Sequence, residues 1–138
     1  MLRISKLADY ATLIMSRLAQ KADTLCSASL LAKALGLSLP VVSKILKILC
    51  QAGLLTSVRG VDGGYRLARP AQEITLAAVV AAIEGDLAVT ECCSLRGACV
   101  LDATCATKKN WKVINGVISS ALERVTIEDM VGSLGSAG

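Results

Sequence analysis

Histidine is absent from the 138 residues. The chain therefore has no imidazole, the group most often used for acid–base catalysis and the commonest metal ligand. It also has no Cys-x-x-Cys pair and no glycine-rich loop leading into a helix to cradle a cofactor. A dithiol redox enzyme built on the vicinal Cys92-Cys93 pair would need that support, so an enzymatic role or a small-molecule substrate is not expected. Long apolar runs are missing too. The hydrophobic fraction is 54 %, yet the longest uninterrupted run is Leu76–Ile83, eight residues. A membrane-spanning helix needs about 20, so no membrane association is expected. The opening Met1-Leu2-Arg3-Ile4-Ser5-Lys6 lacks the basic, apolar, then small-residue layout of a secretory signal. The expected location is the cytoplasm, where six cysteines point to metal or redox chemistry rather than to disulfides.

What is present is unevenly distributed. Residues 1–70 hold ten Lys/Arg against three Asp/Glu, whereas residues 71–138 hold five against eight. A basic half joined to a mildly acidic half suggests that the first meets a polyanion and the second has another task. Charge alone is equally compatible with an ordinary solvated surface. The fold on which the cations sit decides between these readings.

The N-terminal half reads as three helices and a hairpin. Across Ile4–Gln20, Leu7, Ala11, Ile14, Met15 and Leu18 recur at helical spacing. After a break at Leu25–Ser27, either Ser27 or Ser29 can cap a short helix, Leu30–Leu35, which Gly36 terminates. Ser38 suits the N-cap of a third helix, with Pro40 in its first turn. Val42, Ile45, Leu46 and Leu49 form its inward stripe, and Ser43, Lys44, Lys47 and Gln51 its outer face. Two helices about the Gly36–Ser38 turn make a helix-turn-helix. Leu54–Arg59 and Tyr65–Ala68 then read as strands about the turn Gly60-Val61-Asp62-Gly63-Gly64. Such a wing, with Arg59 and Arg66 beside its tip, suits double-stranded DNA. The third helix would enter the major groove, with the wing on phosphates or in the minor groove. Phosphate contacts are expected from Lys44, Lys47, Arg59 and Arg66, and base-edge contacts from Ser43 and Arg59.

In the second half, Thr75 can cap a small-residue helix over Ile74–Glu84, ended by Gly85. A longer helix runs from Cys105 or Ala106 to Val125. Its Trp111, Ile114, Ile118, Ala121 and Val125 follow heptad spacing. Such a stripe needs a partner, and a symmetric homodimer is the simplest one; it would also present two recognition helices to a pseudo-palindromic operator. An intramolecular core helix is the competing reading. The expected fold is mainly α with a small β-wing: a winged helix-turn-helix over 1–84, a cysteine-rich cluster-binding loop over 85–105, and a dimerisation helix with C-terminal tail over 106–138.

Four of the six cysteines, Cys92, Cys93, Cys99 and Cys105, fall within 14 residues. Cys93, Cys99 and Cys105 are evenly spaced, and a loop can gather thiolates about one point. Cys26 and Cys50 are scattered and read as small apolar packing residues. Structural zinc sites usually show pairs spaced two to four apart, so three singly spaced thiolates suit an iron–sulfur cluster better. A zinc- or thiol-switched DNA-binding regulator without iron remains the alternative.

The chain resembles the winged-helix iron–sulfur regulators that include IscR and NsrR. The resemblance spans essentially the whole sequence. It is carried by Ile4-Ser5-Lys6 with Tyr10-Ala11, by Gly36-Leu37-Ser38, by Gly53-Leu54 with Ser57-Val58-Arg59-Gly60 and Gly63-Gly64-Tyr65, and by the cysteine triplet. Ser5–Tyr10 together with Cys92-Cys93 looks most like the branch regulating the SUF iron–sulfur assembly system. The resemblance implies a homodimeric repressor or activator that senses cluster supply, nitric oxide or redox state through Cys93, Cys99 and Cys105. Where IscR-like members carry a histidine ligand, this chain has Lys108. NsrR-like members use an aspartate of the partner subunit, and the matching residue here is Asp9, which becomes the expected fourth ligand. Cys92 is the weaker choice, because adjacent cysteines seldom point the same way. A 2Fe–2S and a 4Fe–4S cluster both remain open.

Overall fold

Ser5 opens the first helix, α1 (Lys6–Gln20), its hydroxyl accepting a 3.2 Å hydrogen bond from the Ala8 N–H. The structure is a computed structural model and describes residues 5–21, 24–85 and 108–131. Ala8, Ala11, Ile14, Met15 and Leu18 form the buried face of α1, while Leu7 is only half-buried. Helix α2 (Ala28–Leu35) begins two residues earlier than the sequence suggests. Ser27, not Ser29, is the cap, accepting from the Leu30 N–H at 3.1 Å. Gly36 ends it in the left-handed region, φ 69°, where a side chain would be strained. The chain then turns through 120° into α3 (Leu39–Gln51). Pro40 occupies the first turn of α3, and Ser38 stands at the N-cap without a side-chain capping bond. The inward stripe Val42, Ile45, Leu46 and Leu49 is fully buried.

The wing is an antiparallel pair, β1 (Leu55–Val58) and β2 (Gly64–Leu67), with Thr56 opposite Arg66 and Ser57 opposite Tyr65. Cys26 extends this sheet from the other side, through bonds of 3.1 and 2.8 Å with the Tyr65 backbone. The turn glycines differ in purpose. A Cβ on Gly63 would lie 2.1 Å from the Val58 carbonyl oxygen, and one on Gly64 would lie 2.7 Å from the Cys26 backbone. Close approach, rather than turn conformation alone, requires glycine at both.

After a 3₁₀ turn at Ala71–Glu73, Thr75 caps α4 (Leu76–Glu84) by accepting from the Ala78 N–H at 3.1 Å. The chain resumes in α5 (Lys108–Arg124) and α6 (Ile127–Val131). Thr126 and Asp129 form a reciprocal capping box at α6, with bonds of 3.0 and 3.2 Å. Backbone bonds from Leu76 N–H to Val125 and from Ile127 N–H to Ile74 fasten this return to the start of α4. Ile127 is fully buried in the same cluster as Ile14, Met15, Ile45 and Leu49. Helix α6 thus shares the core of the helix-turn-helix. Each such side chain contributes about 2–3 kcal/mol on burial.

Helix α5 lies on α4. Leu122 and Ser119 face the small residues Ala77 and Ala81. On the other side Val113, Ile114 and Val117 remain exposed, at 66 %, 41 % and 64 %. The open apolar face is therefore rotated from the heptad stripe. Ile114 and Ala121 of that stripe are exposed, but Ile118 and Val125 are half-buried. A single helix's periodicity cannot register which flank a neighbour such as α4 will cover. The side chain of Trp111 lies outside the described residues. No single helix among the described residues is long and apolar enough to cross a membrane.

Candidate nucleic-acid interface

The face of α3 opposite its buried stripe carries Ser43, Lys44, Lys47 and Gln51, all exposed. Their spacing follows from the helical period: positions between the core residues must point outward. In the wing, Leu55 and Leu67 turn toward the core while their neighbours Thr56 and Arg66 stand outward. Arg59 follows β1 directly and is also exposed. Among the described residues, no hydrogen bond or ion pair engages the side chain of Lys44, Lys47, Arg59 or Arg66. A free cation loses nothing internal when it meets a phosphate.

Two grooves organise the wing cations. One is lined by Ser27, Ala28, Arg59, Gly60 and Tyr65 among others. It sets Arg59 beside the amino end of α2, where unpaired N–H groups and the helix dipole both favour an anion. The other runs past Thr56, Arg66, Arg69 and Pro70. Arg69 is an addition to the sequence reading, which ends the second strand at Ala68 and gives Arg69 no role. Its charge, three residues from Arg66, was the available signal. The turn is fixed by a 3.1 Å bond from the Gly63 N–H to the Gly60 carbonyl. Val61 at its tip is fully exposed. The arrangement offers separate cation groups on a helix face and on a hairpin, a disposition suited to a helix in the major groove flanked by a wing.

A family model described as "Iron-dependent Transcriptional regulator", that of Rrf2, matches residues 4–133. The chain belongs to the Rrf2 family. It is 36 % identical over 137 residues to "Protein aau3" of Rhizobium meliloti, covering 94 % of this chain and 85 % of that protein. Among solved structures it is similar to CymR, "the Global Cysteine Regulator of B. subtilis", at TM-score 0.80 and 29 % identity, covering 95 % of this chain and 97 % of that one. It is likewise similar to T. potens IscR, at TM-score 0.75 and 30 % identity, covering 99 % and 89 %. The protein is a DNA-binding transcription regulator of this family and not an enzyme. The winged-helix fold and the IscR-like resemblance read from the sequence both hold.

The cysteine segment is a separate matter. Cys92, Cys93, Cys99 and Cys105 lie outside the described residues. Asp9 stands exposed in the first turn of α1, where its negative charge also suits the helix dipole. Its carboxylate has no partner among the described residues. No group of three or more His, Cys, Asp or Glu side chains able to hold a metal occurs among them. Cys26 is buried in the core. Burial pushes the Cys50 thiol up from its ordinary pKa, which disfavours the thiolate needed for ligation or attack. Both behave as packing residues.

Proposed function

We propose that the chain acts as a cytoplasmic homodimer that binds a pseudo-palindromic operator and represses transcription in response to iron–sulfur or redox status. The observation that carries this reading is the even Cys93, Cys99, Cys105 triplet in a chain whose family is described as iron-dependent. Three thiolates are a donor set suited to an iron–sulfur cluster. Asp9 of the partner subunit would supply a fourth, more exchangeable oxygen ligand, with Cys92 the weaker choice. When bound, a cluster would supply a redox-labile centre, and these residues would hold it where its presence could set the spacing of the two winged domains. Ser43, Lys44, Lys47, Arg59 and Arg66 are the proposed DNA contacts, and the exposed face of Val113, Ile114 and Val117 favours a second copy as its cover. Resemblance to the SUF-regulating branch points to iron–sulfur assembly genes as targets.

Anaerobic purification followed by iron and sulfide assay tests the cluster directly. Brown protein containing both is expected, with Cys99→Ala colourless and altered in operator binding. Colourless protein containing zinc, or a coloured Cys99→Ala that still regulates, would overturn the proposal. The second reading, a thiol- or zinc-switched regulator without iron, is favoured by one observation, the close likeness to a cysteine regulator. Full DNA response in iron-free protein would select it.

A further inference from the structure

Glu84 is the last residue of α4; Gly85 follows, and the chain then runs into the cysteine-bearing segment. Its Oε1 accepts a 2.8 Å hydrogen bond from the backbone N–H of Ser5, 79 positions earlier. Ser5 is the N-cap of α1, its hydroxyl already engaged with the Ala8 N–H. In a capping box the third helical residue is Glu or Gln, and it returns a bond to the N–H of the cap. Here that residue is Ala8, which has no side-chain acceptor. Glu84 supplies the missing half of the box from a different helix.

The position is poor for α4 itself. A carboxylate in the last turn of a helix opposes the dipole, whereas the same charge at a helix N-terminus is favourable. Glu84 is exposed, so apolar packing does not account for it either. Its favourable interaction exists only while the start of α1 lies against the end of α4. Helix α1 in turn packs on α3, which carries the outer cation face.

We infer that Glu84 is a positioning residue that couples the cysteine-bearing segment to the DNA-binding half by capping α1 from α4. The inference rests on the regulator reading above and deepens it. Coupling between two sites is reciprocal. If the state of the segment changes DNA affinity through this contact, bound DNA shifts the equilibrium between the segment's states by the same factor. The thiol labelling rate reads that shift when the states exchange faster than alkylation.

The test uses full-length, reduced, metal-free protein and a duplex selected by the wild type from a random library. Alkylation of Cys92, Cys93, Cys99 and Cys105 by N-ethylmaleimide is followed by peptide mass spectrometry with and without that duplex. In the wild type the duplex is expected to change the labelling rate at least about fivefold. In Glu84→Ala the ratio should approach one, with faster hydrogen exchange at the Ser5 amide. Glu84→Gln retains an acceptor and should keep most of the effect. A second pair approaches from the other partner. Ser5 has φ −68°, which proline accepts, so Ser5→Pro removes the donor while Ser5→Ala keeps it. Ser5→Pro should therefore match Glu84→Ala, and Ser5→Ala should resemble the wild type in the labelling ratio.

A duplex effect that survives in both Glu84→Ala and Ser5→Pro overturns the inference. So does a wild type that binds the duplex with no change in labelling, since there is then no coupling to carry. Failure of the iron assay leaves this test intact, because the thiols are studied without metal.

Discussion

Replacing Lys47 with alanine should lower the salt dependence of DNA binding by an amount fixed by charge counting. Lys47 is exposed on the outer face of α3 and has no ion pair among the described residues. Its charge is therefore balanced by mobile ions, not by a neighbour, before DNA arrives. Each phosphate neutralised contributes a slope of about −0.9 to log K against log salt. Lys44, Lys47, Arg59 and Arg66 on both protomers of a dimer would together give a slope of about −7. Affinity would then fall about 10⁴-fold between 50 and 200 mM salt. Lys47→Ala should reduce the slope by about 1.8 if two copies engage and by about 0.9 if one does. Fluorescence anisotropy of a labelled duplex across that salt range measures it. Lys112, exposed on α5, provides the control, and its alanine variant should leave the slope unchanged. An unchanged slope in Lys47→Ala, or an equal loss in Lys112→Ala, would refute the assignment of the duplex to the α3 face. The size of the change also counts the protomers on the DNA.

Ile127→Ala should destabilise the fold by about 3 kcal/mol, because the side chain is fully buried and its truncation leaves a cavity. For a chain of this length that lowers Tm by about 10 °C, measurable by thermal circular dichroism; a loss below about 3 °C would mean α6 is not part of the core. Gly63→Ala places a Cβ 2.1 Å from the Val58 carbonyl oxygen and must open the wing turn. Operator affinity should fall at least about fivefold with a smaller Tm change than Ile127→Ala, and unaltered affinity would remove the wing from the interface.

The three helices and the wing were legible because their signals are local. Ser27, Gly36 and Pro40 mark ends through short-range hydrogen bonding and backbone preference. Val42, Ile45, Leu46 and Leu49 define an inside, which assigns Lys44 and Lys47 to the outside. The features that escaped are non-local. The Ser5–Glu84 contact joins residues 79 apart and leaves no periodic trace. Ile127 falls in what the sequence reads as the C-terminal tail, and its docking against α1 makes it core. Helix α5 was legible as amphipathic but not in its rotation, because its own sequence does not say that Leu122 faces α4. Arg69 directly follows the second strand as read from the sequence, and nothing in its local sequence places it in the same groove as Thr56 and Arg66.

On the proposed reading, helix α4 is the element through which a signal arriving after Gly85 would reach α3. It touches α1, α3 and α5, and Ala77, Ala78, Ala81 and Ala82 make up much of its length. Alanine permits close approach on several sides at once. It also has no side-chain rotamer with which to absorb a shift. In a close-packed interior, a helix with short side chains passes a displacement to its neighbours rather than damping it. Its amino end is held by the Thr75 cap and by the backbone bonds to Val125 and Ile127. Its carboxyl end is held by Glu84 on Ser5. The element between the cysteine segment and the recognition helix is thus a short rod, fixed at its amino end by backbone bonds and at its carboxyl end by the packing of Ala82 and Ile83 and by one replaceable carboxylate.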